Sequence, residues 1–415
     1  MAAARVVDAD TARTAIAPLR RLLAATLQLG GLLVTVVGGH QPAVLSISDQ
    51  HVSINGADAV QPHLFGVTAY EGGGLFNSRA NGSAWLRRWG VTSVGLAAEF
   101  ADFALPANLS EAELRQWLSV DGGGWKAFRD HRSDPAPGHL VAGWLSSIGG
   151  GGAEPSLYLY SGLPGVTDPG NPSGQGLPPP VNGTLWGVAA AAAVRLVRLA
   201  AAGSSTDVNM VHIGNEPNNF MWKYSNCSST DASCALWEEF YSAAALTLKR
   251  ELPGVRIGGP VLCWGPSGYN QLDQPDWYTW FLWSRPTIER GLREKTLDFF
   301  DFHAYTSDSL ANRLLADVHT VAAMSSASTG GRVLLPSAIT ETSFVLPTGA
   351  VGRGEHFDLR TLPVARDILS LSSHPDKVIA RQQHDMGFAP FRFDSVRNHG
   401  IFWSQFPSLF VPSLS

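Results

Sequence analysis

The chain has 415 residues, 45% of them hydrophobic and 16% charged, which describes a folded globular protein with a large core. That length is too great for one small domain and ordinary for a large barrel with insertions. A net charge of −5 argues against the basic surface that non-specific nucleic-acid binding needs.

Along the chain, the first feature is a targeting-like segment. Arg20 and Arg21 precede an uncharged run over 22–39, LLAATLQLGGLLVTVVGG, whose length lies between a signal-peptide core and a membrane span. The positive flank would stay cytoplasmic and the remainder would be exported. Residues 1–45 are therefore read as a signal peptide or signal anchor with its linker, and 46–415 as one domain, secreted or membrane-anchored. Four Asn-x-Ser/Thr triplets, at Asn81, Asn108, Asn182 and Asn226, agree with export as a glycoprotein.

Beyond residue 60, apolar strand-like runs alternate with helical patterns, as in a parallel α/β fold. The predicted strands cover 63–70, 91–97, 156–161, 209–215, 256–262, 299–305, 333–340 and 377–385. Predicted helices cover 186–202, 235–252, 277–293, 309–325 and 361–372. Eight strands with intervening helices make a (β/α)₈ barrel the natural count. Gly/Pro-rich loops over 163–181, 263–275 and 342–359 all follow strands, on the face where barrel sites are built. The polar, glycine-rich stretch 121–138 reads as a surface loop.

The most informative stretch is Val211-His212-Ile213-Gly214-Asn215-Glu216-Pro217-Asn218. An apolar strand runs into a polar Asn-Glu pair, and a proline stops it. A carboxylate at the end of a buried strand is costly unless it has a role. A second one, Glu341, stands in Ser337-Ala338-Ile339-Thr340-Glu341-Thr342. Two such glutamates suit double-displacement cleavage of a glycosidic bond, with carboxyl groups about 5 Å apart. In that chemistry Glu216 is the acid/base, its pKa raised by an apolar setting and a negative neighbour. Glu341 is the nucleophile, kept ionised by hydrogen bonds from Tyr305 or His303. Asn215 would bond the sugar hydroxyl beside the reacting carbon.

Alternation in the sixth strand puts Asp301, His303 and Tyr305 on one face, pointing into the barrel towards its mouth. Further candidates for the cleft are Tyr70 and Glu71 after the first strand, Glu99 after the second, and Asn218, Trp222 and Trp264 in later loops. Loop tryptophans offer faces for sugar stacking, whereas most of the 13 tryptophans serve core packing. Cys227 and Cys234 are close enough in sequence for a local disulfide, and no nearby histidine completes a zinc set with them. Cys263 reads as a buried thiol.

Asn-Glu-Pro ending the fourth strand and Thr340-Glu341-Thr342-Ser343 ending the seventh resemble the acid/base and nucleophile motifs of the clan A retaining glycoside hydrolases. Gly214-Asn215-Glu216-Pro217-Asn218 is similar to the heparanase-like β-glucuronidases. The wider pattern looks more like agarase-type barrel proteins: Phe65-Gly66-Val67-Thr68-Ala69-Tyr70-Glu71-Gly72, Gly258-Gly259-Pro260-Val261-Leu262-Cys263-Trp264, Asp298-Phe299-Phe300-Asp301-Phe302-His303 and His374-Pro375-Asp376-Lys377-Val378. The resemblance spans about 60–390. It implies a (β/α)₈ barrel, no cofactor, a retaining mechanism and a polysaccharide substrate, with an agarose-like galactan first. The clan's aromatic platform after the eighth strand would fall to Trp403. Two rivals are a carbohydrate-binding pseudoenzyme on the same barrel and a metal-dependent barrel hydrolase. The second would predict several strand-end histidines, where only His303 is so placed.

Overall fold

The computed structural model describes residues 6–8, 32–38, 41–48, 51–54, 66–69, 83–84, 93–98, 100–130, 148, 153–159, 162–168, 179–200, 208–217, 224, 234–263, 285–306, 311–344, 371 and 377–383. Four strands come first: β1 (Val6–Asp8), β2 (Leu32–Gly38), β3 (Gln41–Ser48) and β4 (His51–Ile54). They form one sheet in chain order, β2–β3 and β3–β4 antiparallel and β1–β2 parallel. The uncharged run 22–39 thus contains a strand, β2, and the rest of it lies outside the described residues. Its Val-Thr-Val-Val is β-branched, which suits a pleated ribbon. Among the described residues no helix is long and apolar enough to cross a membrane.

Eight parallel strands follow: β5 (Gly66–Ala69), β6 (Ser93–Ala98), β7 (Glu154–Leu159), β8 (Met210–Ile213), β9 (Arg256–Leu262), β10 (Phe299–Thr306), β11 (Ser337–Phe344) and β12 (Val378–Gln383). Each pairs with the next, and β12 pairs back to β5 through Gln382↔Gly66 and Gln383↔Val67, so the sheet closes. All eight overlap the predicted strands. β11 differs in its start. It begins at Ser337, not at 333, because it gains a partner only there, where Phe300 pairs with Ser337. Val333 and Leu334, before it, are exposed.

The described helices α1 (Glu111–Trp117), α2 (Gly123–Asp130), α3 (Gly183–Ala200), α4 (Ala235–Glu251), α5 (Arg285–Glu294) and α6 (Ala311–Thr329) follow β6 to β10. α2 corrects the reading of 121–138 as a surface loop. Its Phe128 is buried, stacked on Phe103 with ring centroids 4.8 Å apart, so burying an aromatic outweighs a glycine-rich start. The predicted helix 277–293 is seen as α5, and 264–284 lie outside the described residues. The same holds for most of 361–372.

Local chemistry sets the helix ends. Ser110 and Glu113 form a reciprocal capping box at α1, and Asn182 Oδ1 accepts from Leu185 N (2.9 Å) to cap α3. α3 packs on α4 through small residues. A Cβ on Gly183 would stand 2.1 Å from the Phe240 carbonyl oxygen, so the two backbones come closer than a side chain permits. Trp186, fully buried, meets Phe240 edge-on at 5.4 Å. At the junction of α1, α3 and α4, Glu251 accepts from Arg115 (2.8 Å) and Arg195 (2.9 Å).

β8 and β9 are buried almost throughout, as expected of parallel strands covered on both faces. Inside the barrel the side chains form layers. Met210, Phe299 and Ala338 make the lowest described cluster, all apolar. Tyr158, His212, Asp301 and Thr340 lie above it, and Glu216 and His303 above those.

Candidate active site

The C-terminal end of β8 carries the site's first carboxylate, and its backbone is forced there. Gly214 has φ +119°, and a Cβ on it would stand 2.2 Å from the Pro260 carbonyl oxygen on β9. Only glycine fits so close an approach with that φ. Two residues later Glu216 itself has φ +46°, a conformation that costs a non-glycine residue about 1–2 kcal/mol. Its N–H donates to the Val261 carbonyl (2.8 Å), which helps to hold it there. Strain of this kind persists only where the surroundings over-determine it, and it concentrates at working sites.

Asn215 and Glu216 are both buried, at 5% and 8% exposure. Glu216 Oε1 lies 2.8 Å from His303 Nδ1 on β10. Tyr305 or His303 was expected to support Glu341, whose side chain lies outside the described residues; His303 bonds Glu216. The residue one inward step below His303, Asp301, is also fully buried and uses both carboxylate oxygens. Oδ2 pairs with His212 Nδ1 on β8, and Oδ1 accepts from the Thr340 hydroxyl (2.5 Å) on β11. His212 lies flat on Tyr158, ring centroids 4.1 Å apart, and edge-on to Phe299 at 5.1 Å. The inward face expected for Asp301 and His303 is thus observed. His212 was not singled out by sequence. The available signal was its alternation with Met210 on an otherwise apolar strand.

Glu341 lies inside β11 rather than after its end, and its Cα pairs in register with His303. Tyr305 continues β10 and pairs with Ser343. Of these two residues the backbone alone is described. Two irregularities flank β10 at this level. β9 carries an extra residue, Val261, between the partners of Asp301 and Phe302. β11 carries an extra residue, Thr340, between the partners of Phe302 and His303. Such bulges re-aim strands beside active sites. Val261 has φ +57°, unusual for a β-branched residue, and it is the residue whose carbonyl holds Glu216.

The structure therefore brings Asn215, Glu216 and His303 together, with Glu341 and Tyr305 on strands beside them. Tyr70, Glu71, Glu99, Asn218, Trp222, Trp264, Trp403 and Cys227 lie outside the described residues. Cys234 is disulfide-bonded and Cys263 is buried.

No family model matches the chain, and no curated protein matches it. Solved structures do. A glucosidase from Croceicoccus marinus matches with a TM-score of 0.50 at 16% identity, covering 83% of this chain and 64% of its own. A monomeric β-xylosidase from Caulobacter crescentus CB15 matches at 0.50 and 15%, covering 78% and 60%. A variant of BuGH86 in complex with neoagarooctaose matches at 0.50 and 13%, covering 82% and 55%. The chain spans less than two thirds of each of these neighbours. At such identities the likeness is one of fold: a parallel, helix-covered barrel sheet of the kind these glycoside hydrolases are built on.

Proposed function

We propose that this chain is a retaining glycoside hydrolase on a (β/α)₈ barrel that cleaves a polysaccharide by double displacement. Glu216 is the general acid/base, and Glu341 is the nucleophile. One observation carries the reading: Glu216, held buried at a strained strand end, bonds His303, and the Cα partner of His303 on β11 is Glu341. β8 and β11 face each other obliquely across the barrel mouth, a placement that allows the carboxyl separation of about 5 Å that a retaining enzyme requires. His303 Nδ1 beside Glu216 Oε1 orients that carboxyl group and can share its proton as the acid becomes a base. Asn215, adjacent in sequence and buried, is assigned to the sugar hydroxyl next to the reacting carbon. Tyr70, Glu71, Tyr305, Asn218, Trp222, Trp264 and Trp403 are assigned to the cleft walls.

Among polymers, an agarose-like galactan stands first on the sequence resemblance, and heparanase-like β-glucuronidase action is the alternative within the clan. Export is part of the same proposal. Cys234 is in a disulfide, which persists in oxidising compartments, and the sequon residues Asn108 and Asn182 are exposed. The experiment is hydrolysis of a polysaccharide panel, agarose and glucuronan-type chains included, by wild type, Glu216→Gln and Glu341→Gln. The expected result is cleavage of one polymer, reduced at least 10²–10⁴-fold, roughly the worth of a positioned acid/base, in each variant. Activity that survives Glu341→Gln removes the nucleophile assignment. Binding of one polymer without wild-type turnover identifies a pseudoenzyme.

A further inference from the structure

The strand ladder, not the motif, decides which residue of β11 stands beside His303. Below the site, β10 and β11 run in step: Phe300 with Ser337, Asp301 with Ala338, Phe302 with Ile339. Continued in step, His303 would meet Thr340 and Ala304 would meet Glu341. Instead β11 takes one extra residue, and His303 meets Glu341. A one-residue slip in a strand is a displacement of about 3.3 Å and turns each side chain to the other face. The extra residue is therefore what sets Glu341 at the height of the Glu216–His303 pair.

That residue is Thr340, and it does not float. Its hydroxyl donates to Asp301 Oδ1, and both side chains are fully buried. Asp301 is in turn fixed from the other side, through Oδ2, by His212 on β8. One carboxylate thus ties three strands at a single level. Each of them carries a site residue a short step above: Glu216 after β8, His303 on β10, and Glu341 on β11.

We propose that Thr340 is a positioning residue: the Thr340–Asp301 bond pins the extra residue of β11 and so sets Glu341, rather than Thr340, level with His303. The kinetic consequence rests on the glycosidase reading; the register does not. The test uses the full chain with Thr340→Val, which keeps the shape and removes the hydroxyl, and Thr340→Ser, which restores it. Crystal structures of both read the register. The expected result is loss of the extra residue in Thr340→Val, with Ala304 brought opposite Glu341, and the wild-type register in Thr340→Ser. On the polymer that wild type cleaves, kcat falls roughly 10²-fold in Thr340→Val, the scale of a small misplacement, with KM within about threefold. Thr340→Ser stays within about threefold of wild type in both constants. An unchanged register in Thr340→Val, or equal loss in the two variants, overturns the proposal. Should Thr340→Val not fold, Thr340→Ala takes its place under the same criteria. Should wild type cleave nothing, the glycosidase reading falls alone, and the register decides this inference.

Discussion

Gly214 offers a sharp test of how the site's backbone is held. A Cβ there would stand 2.2 Å from the Pro260 carbonyl oxygen and 3.2 Å from the Trp237 ring, on a residue with φ +119°. The conformational term alone costs alanine about 1–2 kcal/mol. Relieving the contact requires β8 and β9 to part where they are fully packed, which adds about 1–3 kcal/mol. Gly214→Ala should therefore lose about 3 kcal/mol. Two glycines separate the terms. Gly330 has φ +62° with nothing within 4 Å of a Cβ, so Gly330→Ala should show the conformational cost alone, about 1 kcal/mol. Gly254 has neither feature, and Gly254→Ala should be neutral or stabilising by about 0.4–1 kcal/mol. Urea unfolding of the three variants, compared at a common denaturant slope, gives the ranking. Under the proposed glycosidase reading, Gly214→Ala should also lose about 10²-fold in kcat, since it displaces Glu216 from its place beside His303. If Gly214→Ala unfolds with Gly254→Ala, or no earlier than Gly330→Ala, the argument from close approach is wrong.

Two further predictions concern the shell around the barrel. Hydrogen bonds from Arg115 and Arg195 hold the Glu251 carboxyl at about 2, below its ordinary 4.5. A lowered carboxylate pKa stabilises the fold above the ordinary value, and that stability is lost as pH falls from about 4.5 towards 2. Because both arginines are well exposed, solvent screening reduces its worth to about 1 kcal/mol. Wild type should lose melting temperature more steeply than Glu251→Gln between pH 4.5 and pH 2, and parallel curves would refute the assignment. The buried Trp237 Nε1–H donates to Thr287 Oγ1 (3.2 Å), joining α4 to α5. Thr287→Val keeps the shape but removes that acceptor, so guanidinium unfolding should show a loss of about 1 kcal/mol, whereas an unchanged midpoint would show the bond to be worthless.

The barrel was legible because each strand announces itself by a short apolar run, and Asn215-Glu216-Pro217 announces where β8 stops. What was not legible lies between strands. A bulge is a relation of register, and nothing in Val261 or Thr340 as residue types marks an extra residue. A β-branched valine at positive φ is the reverse of what the sequence would suggest. The same limit explains the partner of His303. Alternation put Asp301 and His303 on the inward face, but which carboxylate His303 meets depends on how β8 and β10 are staggered. At 22–39 an apolar run serves a membrane segment and a strand equally well, and the β-branched content of Leu32–Gly38 agrees with the strand seen there.

The interior layers explain why a buried charge is tolerated here. An isolated carboxylate costs several kcal/mol in a protein interior, so Asp301 needs a return. Both of its oxygens are engaged, by His212 and by Thr340, and the layer beneath is closed by Met210, Phe299 and Ala338. An apolar layer at that height could pack equally well, but dispersion contacts do not distinguish one strand register from the next, whereas hydrogen bonds in fixed directions do. The polar layer thus stands between a base that supplies stability and a mouth that needs its groups held to within about 0.5 Å. On this reasoning the barrel accepts the desolvation of Asp301 for the sake of register, and the strain at Glu216 is borne by the same ring of strands, through the Val261 carbonyl on β9 and His303 on β10.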